Sequence, residues 1–324
     1  MQLLASLLLL CLSTIESFQG PTVVRLQGRR GHSPVLLMQI EVMVNGMPGP
    51  MAVETAKACI DKGFKLLPYG FTGKNQPEEL DVQGVKVKLI EGASFGPKAS
   101  EVLKKLKAEH PKLIVVDYTH PSAILSNLQA YADNDCDFVM GTTGGDMDQM
   151  TAIQAKSKSA IAVIAPNMAK QIVAVQATLQ SMAERFPNSF VSYGLTVTES
   201  HQSSKADTSG TAKAIVKHLA TLNGAGDSFT LEDIVKVRDE ESQLKFGVPA
   251  SALSGHAFHT YRFTSKDGSV TFELQHNVCG RRVYAEGTAD AVAFVNSARE
   301  NKDKGGLKKR LFNMIDVLEA GAMR

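Results

Sequence analysis

The sequence QIEVMVNGMPGPMAVETAKACI, residues 39–60, decides the fold class of this chain. Its first part, Gln39–Asn45, alternates apolar side chains on one face and predicts a buried strand, and a helical pattern begins at Met51. A turn that contains Gly46 and Gly49 joins the two. This order is typical of the first unit of a dinucleotide-binding fold, because glycines let the backbone approach a pyrophosphate whose charge the helix N-terminus attracts. The spacing is GxxGxxA rather than GxGxxG, so a purely structural glycine turn stays open as an alternative.

Three later segments repeat the pattern of a buried strand that runs into small polar residues. Leu113–Thr119, Phe138–Gly145 and Ile161–Asn167 are predicted as parallel strands, and helical segments separate them. The alternation predicts an α/β protein with a Rossmann-type, doubly wound parallel sheet over residues 39–167. Ligands of such sheets bind beyond the carboxyl ends of the strands, so residues at the strand ends are expected beside a nicotinamide. These residues are Thr119, Gly141, Thr142, Thr143 and Asn167.

Lys65–Tyr69 is predicted as a second strand, and the residues that follow it indicate which cofactor is bound. An NAD site often carries Asp or Glu here to hold the ribose hydroxyls, and Gly70–Lys74 has neither. Thr72 and Lys74 are suited to a 2′-phosphate, which favours NADPH with NADH possible; a plain surface lysine is the alternative interpretation. The further candidate cofactor-binding residues are Gly46, Met47, Gly49, Pro50, Met51, Phe71, Tyr118 and Pro166.

The segment Glu199–Lys213 combines a proton donor, a cation and the start of a helix. His201 and Lys205 are predicted to lie on a loop, and Ser209-Gly210-Thr211 precedes an apolar helical pattern. Free backbone N–H groups at a helix start bind anions, so the segment predicts a pocket for a small anion with an acid nearby. A solvated loop with a capped helix is the equally open alternative.

The rest of the chain predicts a second, α+β part and a set of final helices. Strands are expected at 190–198, 234–238, 254–264 and 269–278, and helices at about 169–186, 287–298 and 307–318. The predicted organisation has four parts. They are a leader over 1–38, the dinucleotide-binding domain over 39–167, an inserted substrate-binding and oligomerisation domain over 168–286, and C-terminal helices over 287–324 that return to the first domain.

Composition and charge exclude several classes of function. The 324 residues carry a formal charge of +2, which gives no support for nucleic-acid binding, and no internal stretch is long and apolar enough to span a membrane. The four cysteines lack metal-ligand spacing. His256, His259 and His276 lie on strand patterns without a carboxylate or cysteine to complete a shell, so no metal site is expected and core or interface histidines are favoured.

The first 38 residues are typical of a targeting sequence rather than of a folded domain. Leu3–Leu12 is a short apolar block like that of a signal peptide, and Phe18–Ile40 contains arginines but no acid, as in a transit peptide. The combination predicts import into a plastid through a bipartite leader, with secretion or another organelle as alternatives.

From Gln39 to Arg324 the chain resembles the dihydrodipicolinate reductases, specifically their plant-type branch, in a series of motifs that occur in the same order. The motifs are VNG at 44–46, VDYT at 116–119, VMGTTGG at 139–145, ESHQ at 199–202 with Lys205 and SGT at 209–211, GHAFH at 255–259, QHNVCGR at 275–281 and YAEGT at 284–288. The resemblance implies NAD(P)H-dependent reduction of 4-hydroxy-tetrahydrodipicolinate to tetrahydrodipicolinate in lysine biosynthesis by the diaminopimelate route. It also implies a homodimer or homotetramer.

The resemblance assigns roles within these motifs. His201 matches the proton donor, and Lys205 matches a lysine that binds substrate and stabilises developing negative charge. Ser209, Gly210 and Thr211 match the loop that holds a substrate carboxylate. Thr143 matches a threonine between substrate and nicotinamide.

Three positions depart from the family pattern. Gln202 replaces a second histidine, as in the plant branch, so it is expected to bind substrate but to carry no proton. Pro50 stands where a basic residue is usual, and Ala52 where glycine is usual. A different NAD(P)-dependent reductase and a catalytically silent nucleotide-binding homologue therefore stay open as alternatives.

Overall fold

The computed structural model describes residues 39–92, 97–142, 144–303, 305, 307 and 309–321. The predicted leader, residues 1–38, and Thr143 lie outside the described residues. No helix among the described residues is long and apolar enough to cross a membrane.

Strands and helices are interspersed along the described chain. The strands are β1 (Glu41–Asn45), β2 (Lys65–Leu66), β3 (Tyr69–Thr72), β4 (Glu79–Val82), β5 (Val85–Glu91), β6 (Ile114–Asp117), β7 (Asp137–Met140), β8 (Ala162–Ile164), β9 (Tyr193–His201), β10 (Val235–Val237), β11 (His256–Ser265), β12 (Thr271–Cys279) and β13 (Leu311–Phe312). The helices are α1 (Pro50–Asp61), α2 (Pro97–Glu109), α3 (Ile124–Asp133), α4 (Met147–Lys156), α5 (Lys170–Arg185), α6 (Gly210–Asn223), α7 (Glu240–Lys245), α8 (Arg282–Asp303) and α9 (Met314–Glu319).

The main sheet is parallel, six-stranded and covered on both faces. Its strand order is β13-β8-β7-β6-β1-β2. Successive residues of β1 point to opposite cores: Val42 and Val44 pack with α1, α8 and α9, whereas Met43 packs with α2, α3 and α4. Strands buried on both faces read as continuous apolar runs, which is why their positions were predictable. The predicted α/β class with a doubly wound parallel sheet is confirmed.

A second, four-stranded sheet has the order β10-β9-β11-β12, and α5 and α6 pack on one of its faces. Its central pair is long, with antiparallel register from Ala257 opposite His201 to Ser265 opposite Tyr193. A hairpin turn at 266–268 joins β11 to β12, with Gly268 at a φ of 74°.

Two of the predicted strand and helix ranges were wrong. The predicted strand Lys65–Tyr69 is divided, because β2 belongs to the parallel sheet whereas β3 joins a separate sheet of order β3-β5-β4. The predicted helix over 307–318 is replaced by β13 and the short helix α9, since Asn313 accepts hydrogen bonds from the N–H groups of Ile315 and Asp316 and starts the helix late. The extra strand pairs with β8, where Leu311 lies opposite Ala162.

Candidate functional site

The turn after β1 borders the largest of three clefts, which we call the glycine-turn cleft. It has a volume of about 720 Å³. Gly46 has a φ of 98°, and a Cβ placed on it would lie 2.2 Å from the carbonyl oxygen of Tyr118. Only glycine fits there, so the turn brings a bare backbone to the cleft. The cleft is lined by Gly46, Met47, Pro48, Gly49, Phe71, Thr72, Gly73, Gln76, Gly92, Tyr118, Thr119, His120, Ser122, Ala123 and Asn127.

A second cleft of about 340 Å³ lies at the ends of β6, β7 and β8, and we call it the strand-end cleft. It shares Tyr118 and Thr119 with the glycine-turn cleft, so the two clefts are adjacent at the carboxyl edge of the parallel sheet. Its lining is Met51, Tyr118, Thr119, Pro121, Gly141, Thr142, Pro166, Met168 and Tyr284.

The predicted cofactor residues divide into three groups. Eleven of them line these two clefts: Gly46, Met47, Gly49, Met51, Phe71, Thr72, Tyr118, Thr119, Gly141, Thr142 and Pro166. Asn167 lines a third cleft, which Pro166 also borders. Pro50 and Lys74 are exposed and line none of the three, and Thr143 lies outside the described residues.

Thr72 is held by the glycine turn rather than left free. Its hydroxyl donates a hydrogen bond of 2.6 Å to the carbonyl oxygen of Met47, and the residue is buried. The hydroxyl proton is therefore already committed, so only the Thr72 oxygen and the exposed Lys74 remain available to a ligand at this point.

A buried carboxylate, Asp117, organises the strand-end cleft. It is fully buried at the end of β6. Its Oδ1 accepts hydrogen bonds from the Thr119 hydroxyl at 2.7 Å and the Thr142 hydroxyl at 3.0 Å, and its Oδ2 accepts from Asn127 and Tyr131. Burial and the nearby carboxylate raise the pKa of Tyr131 well above its usual value. The network fixes both threonines that were predicted from the strand ends.

The third cleft, of about 470 Å³, contains the predicted substrate segment, and we call it the cationic cleft. It shares Pro166 and Tyr284 with the strand-end cleft. Lys205 enters it and pairs with Asp207 at 2.7 Å. The remaining lining residues are Gly144, Asn167, Thr208, Ser209, Gly210, Thr211 and Lys213.

Helix α6 starts at this cleft. Gly210 is its first residue, and the first amides of a helix have no partner within it. The side-chain amide of Asn167 donates to the Thr211 hydroxyl at 2.9 Å, which links the end of β8 to α6. The Ser209 N–H, by contrast, donates to Glu199 Oε2 at 3.0 Å. The Ser209 N–H is thus used within the protein. The amides of Gly210 and Thr211 and the hydroxyl of Ser209 are the groups of this segment left for a ligand.

Arg238 secures the segment that carries Lys205. Its guanidinium forms an ion pair with the fully buried carboxylate of Glu199 and donates to the carbonyl oxygen of Lys205 at 2.7 Å. Gln243 completes the support by donating to the carbonyl oxygens of His201 and Arg238. The loop between β9 and α6 is thus fixed by buried polar contacts.

His201 is not on a loop, as the sequence had suggested, but is the last residue of β9. The register of β9 against β11 continues through it, and the side chain is only 7% exposed. Its Nδ1 lies 3.1 Å from the carbonyl oxygen of His256 and its Nε2 lies 3.4 Å from His259 Nε2. Burial, followed by the charges of Arg238 and Lys205, lowers the pKa of His201 to about 4. His201 and Gln202 line none of the three clefts, whereas Lys205 lines one.

One arrangement of metal-ligating atoms occurs among the described residues. Glu199, His201 and His259 bring one such atom each within 4.8 Å of the others. Arg238 already neutralises this carboxylate and the Ser209 N–H donates to it, so the charge balance of the group requires no cation.

Several residues at the site were not singled out from the sequence. Tyr284 lines both the strand-end and the cationic cleft, and Thr288 accepts a hydrogen bond from Tyr118 at 2.5 Å. Both residues lie in the YAEGT motif, which was quoted from the sequence without a role being assigned to either of them. Arg238 had no local signal, because only the pairing of distant strands brings it to the end of β9. His259 lies in the GHAFH motif but was interpreted as a core or interface histidine.

The parallel sheet, its glycine turn and the clefts along its carboxyl edge define a dinucleotide-binding α/β protein of the oxidoreductase class. The family model for the dihydrodipicolinate reductase N-terminus matches residues 40–168, and the model for the C-terminus matches residues 172–318. The chain belongs to the dihydrodipicolinate reductase family.

Relatives and a solved structure agree with this membership. The chain is 45% identical over 287 residues to 4-hydroxy-tetrahydrodipicolinate reductase 1, chloroplastic, of Arabidopsis thaliana, covering 88% of this chain and 79% of the relative. It is 44% identical over 287 residues, with the same coverage, to reductase 2, chloroplastic, of that plant. The dipicolinate-bound dihydrodipicolinate reductase from Paenisporosarcina sp. TG-14 shares the fold, with a TM-score of 0.57 and 20% identity over 85% of this chain and 98% of the other.

Proposed function

We propose that this chain reduces 4-hydroxy-tetrahydrodipicolinate to tetrahydrodipicolinate with NAD(P)H, a step of lysine biosynthesis by the diaminopimelate route. The observation that carries the proposal is that the three clefts are adjacent to one another. The glycine-turn and strand-end clefts share Tyr118 and Thr119, and the strand-end and cationic clefts share Pro166 and Tyr284. A dinucleotide along the first two would end beside an anion held in the third.

The first two clefts fit a nicotinamide dinucleotide. At Gly46 the close approach of Tyr118 leaves no room for a Cβ, so the turn presents backbone to the pyrophosphate. The Asp117 network holds Thr119 and Thr142 at the nicotinamide end. The bound cofactor supplies a hydride. NADPH is the preferred form, because Gly70–Lys74 offers Lys74 and no carboxylate to the ribose.

The cationic cleft suits a dicarboxylate. Lys205 and Lys213 supply positive charge, and the amides of Gly210 and Thr211 at the start of α6 are suited to one carboxylate. Lys205 stabilises negative charge that develops during the reaction. Gln202 and the hydroxyl of Ser209 assist binding of the substrate, and Thr143 is assigned to the contact between substrate and nicotinamide.

His201 supplies the proton that must accompany the hydride. Its imidazole is neutral at neutral pH in the free protein, because burial depresses its pKa to about 4. Binding of a dianion beside Lys205 offsets the cationic surroundings of His201 and favours its protonated form. The proton is then available when the substrate is bound.

The proposal extends to domain organisation, location and assembly. Residues 39–167 form the dinucleotide-binding domain and 168–286 the substrate and oligomerisation domain, while 287–324 return to the first. Support comes from β13, which pairs with β8 after the second sheet is complete. Chloroplastic relatives and the basic leader support a plastid location. The exposed Phe272 and Val235 on the edge strands of the second sheet support a homodimer or homotetramer.

The direct test is an assay of the purified protein with enzymatically generated substrate. Oxidation of NADPH or NADH that depends on substrate is expected, and the Lys205→Met variant is expected to lose it while still binding the cofactor. A protein that binds NADPH without oxidising it would instead be a silent homologue. Reduction of an unrelated carbonyl substrate, undiminished in Lys205→Met, would assign a different reductase activity.

A further inference from the structure

Tyr284 lies at the boundary between the strand-end cleft and the cationic cleft. These two clefts share Pro166 and Tyr284, so a nicotinamide in one and a substrate in the other would meet there. Proline has no N–H and no polar side chain, so the hydroxyl of Tyr284 is the side-chain donor of this pair. The hydroxyl hydrogen-bonds to none of the described residues. Its hydrogen is therefore available to a ligand.

The first two turns of α8 fix the position of Tyr284. A Cβ placed on Gly287 would overlap the carbonyl oxygen of Met168, so only glycine lets the helix approach the strand-end cleft this closely. Thr288 donates a hydrogen bond of 2.8 Å to the carbonyl oxygen of Tyr284 and accepts one from Tyr118 at 2.5 Å. The YAEGT motif thus ties the backbone of Tyr284 to the lining of the cleft.

The other hydroxyl groups that line the strand-end cleft are already used within the protein. Thr119 and Thr142 donate to Asp117, and the hydrogen of Tyr118 is used in the contact with α8. Burial raises the pKa of Tyr284 above its usual value, so its phenol is neutral at neutral pH. Tyr284 is therefore suited to donate a hydrogen bond without giving up its proton.

The proposed reaction identifies the substrate group at this boundary. The substrate carries a hydroxyl at ring carbon 4 and the product carries none, so the C4–O bond breaks and a C4–H bond forms with the hydride. Overall, the substrate, NAD(P)H and one proton give the product, NAD(P)⁺ and water, which contains the departing oxygen. Because carbon 4 receives the hydride, it faces the nicotinamide, and its hydroxyl lies where the two clefts meet.

Building on the proposed reductase function, we propose that Tyr284 is a substrate-binding residue whose hydroxyl donates a hydrogen bond to the oxygen on carbon 4, the group that leaves as water. The bond orients carbon 4 towards the nicotinamide and stabilises negative charge that develops on the departing oxygen. Tyr284 keeps its hydrogen and ends unchanged, so the proton assigned to His201 is still the one consumed. The same bond makes Tyr284 a determinant of specificity for a ring with oxygen at this position.

The test uses two stable aromatic analogues of the substrate ring, pyridine-2,6-dicarboxylate and its 4-hydroxy derivative, which differ in the oxygen on carbon 4. Isothermal titration in the presence of NADPH measures the Kd of each. Tyr284→Phe removes the hydroxyl and keeps the ring. It is expected to weaken binding of the 4-hydroxy analogue about five- to ten-fold, because the oxygen loses its donor, and to lower kcat/KM for the substrate about 10-fold. The Kd values of the unsubstituted analogue and of NADPH should stay within about two-fold.

The matched control is Tyr193→Phe, which removes a tyrosine hydroxyl at the first residue of β9, at the opposite end of that strand from His201. Tyr193 lines none of the three clefts. This variant should leave all four constants within about two-fold of the wild-type values. Losses equal to those in Tyr284→Phe would overturn the proposal.

The outcomes separate the two proposals. A wild-type protein that oxidises neither NADPH nor NADH with substrate would refute the reductase function. An active wild type that binds the 4-hydroxy analogue no better than Tyr284→Phe does would overturn the role of Tyr284 alone. Equal weakening of both analogues in Tyr284→Phe would also overturn it, because the hydroxyl would then contact a part common to both. If Tyr284→Phe does not fold, Tyr284→Leu carries the same comparison of the two analogues, since it also lacks the hydroxyl.

Discussion

The carboxylate of Glu199 accepts a hydrogen bond of 3.0 Å from the backbone N–H of Ser209, ten residues further along the chain. This contact ties the end of β9 to the start of α6, and the same carboxylate is paired with Arg238. Lys205 lies on the loop between these two points. The position of the cation in the cleft therefore depends on a buried ion pair that does not line the cleft itself.

Loss of Arg238 is expected to destabilise the protein strongly. Glu199 is fully buried, so Arg238→Met leaves a carboxylate without its countercharge, which costs about 3–5 kcal/mol. Urea unfolding measures this as a fall in the free energy of unfolding. The double variant Glu199→Gln/Arg238→Met should recover part of the loss, because the stranded charge is gone.

An exposed ion pair provides the control. Lys245 and Glu241 on α7 have side chains 75% and 80% exposed. Lys245→Met is expected to change the free energy of unfolding by no more than about 1 kcal/mol. Equal effects of Arg238→Met and Lys245→Met would contradict the role given to the buried pair.

Removal of the Lys205 charge should affect the reaction rather than the fold. In Lys205→Met the cationic cleft loses the group that faces developing negative charge, and kcat/KM is expected to fall by about 100- to 1,000-fold. The free energy of unfolding should change by less than about 1 kcal/mol, because the partner Asp207 is 71% exposed. Asp207→Asn keeps the Lys205 ammonium and should retain kcat/KM within about three-fold. A similar loss in both variants would show that the loss of activity comes from a disturbed loop rather than from the missing charge.

The sequence predicted the parallel sheet well because its strands are continuous apolar runs that end at glycine, threonine or asparagine, a local signal. The strand ends also placed Thr119 and Thr142 at the cleft correctly. The environment of His201 was not predictable in the same way. Whether the chain at that residue is loop or strand depends on pairing with β11, which lies 55 residues away at His256. The late start of α9 was missed because the capping residue Asn313 stands inside an apparently continuous helical pattern.

Gly46→Ala is expected to damage both stability and cofactor binding. The new Cβ would meet the Tyr118 carbonyl oxygen at 2.2 Å, in a backbone conformation with φ of 98°. A substitution at Gly84 distinguishes the effect of the steric clash from that of the strained backbone, because Gly84 has a φ of 84° but nothing lies within 4 Å of its Cβ position. Gly84→Ala should cost only about 1–2 kcal/mol for the left-handed backbone and leave the Kd for NADPH unchanged. Isothermal titration with NADPH and urea unfolding of both variants measure this; equal Kd values would refute the assigned role of the turn.

Stability should fall as the solution is acidified below pH 6.5. The pKa of His201 is lowered from 6.5 to about 4 in the folded protein, so between these values the unfolded chain binds more protons than the folded one. The free energy of unfolding therefore decreases as pH falls through this window, by about 1 kcal/mol per pH unit for this group. Urea unfolding at several pH values measures the slope. His201→Gln should reduce it, whereas substitution of the exposed His120 by Gln should not; an unchanged slope in His201→Gln would contradict the assignment.

The proposed preference for NADPH should depend on Lys74. This residue is exposed and follows β3, at the position where a carboxylate would otherwise hold the ribose hydroxyls. One solvent-exposed contact between an ammonium and a phosphate is worth about 1 kcal/mol, so Lys74→Met should raise the KM for NADPH about five-fold and leave that for NADH unchanged. High salt should raise the wild-type KM for NADPH by screening the same contact. Lys86→Met, at a lysine 75% exposed on β5, should alter neither constant. A parallel rise of both KM values in Lys74→Met would show that the lysine contacts a part of the cofactor common to both forms.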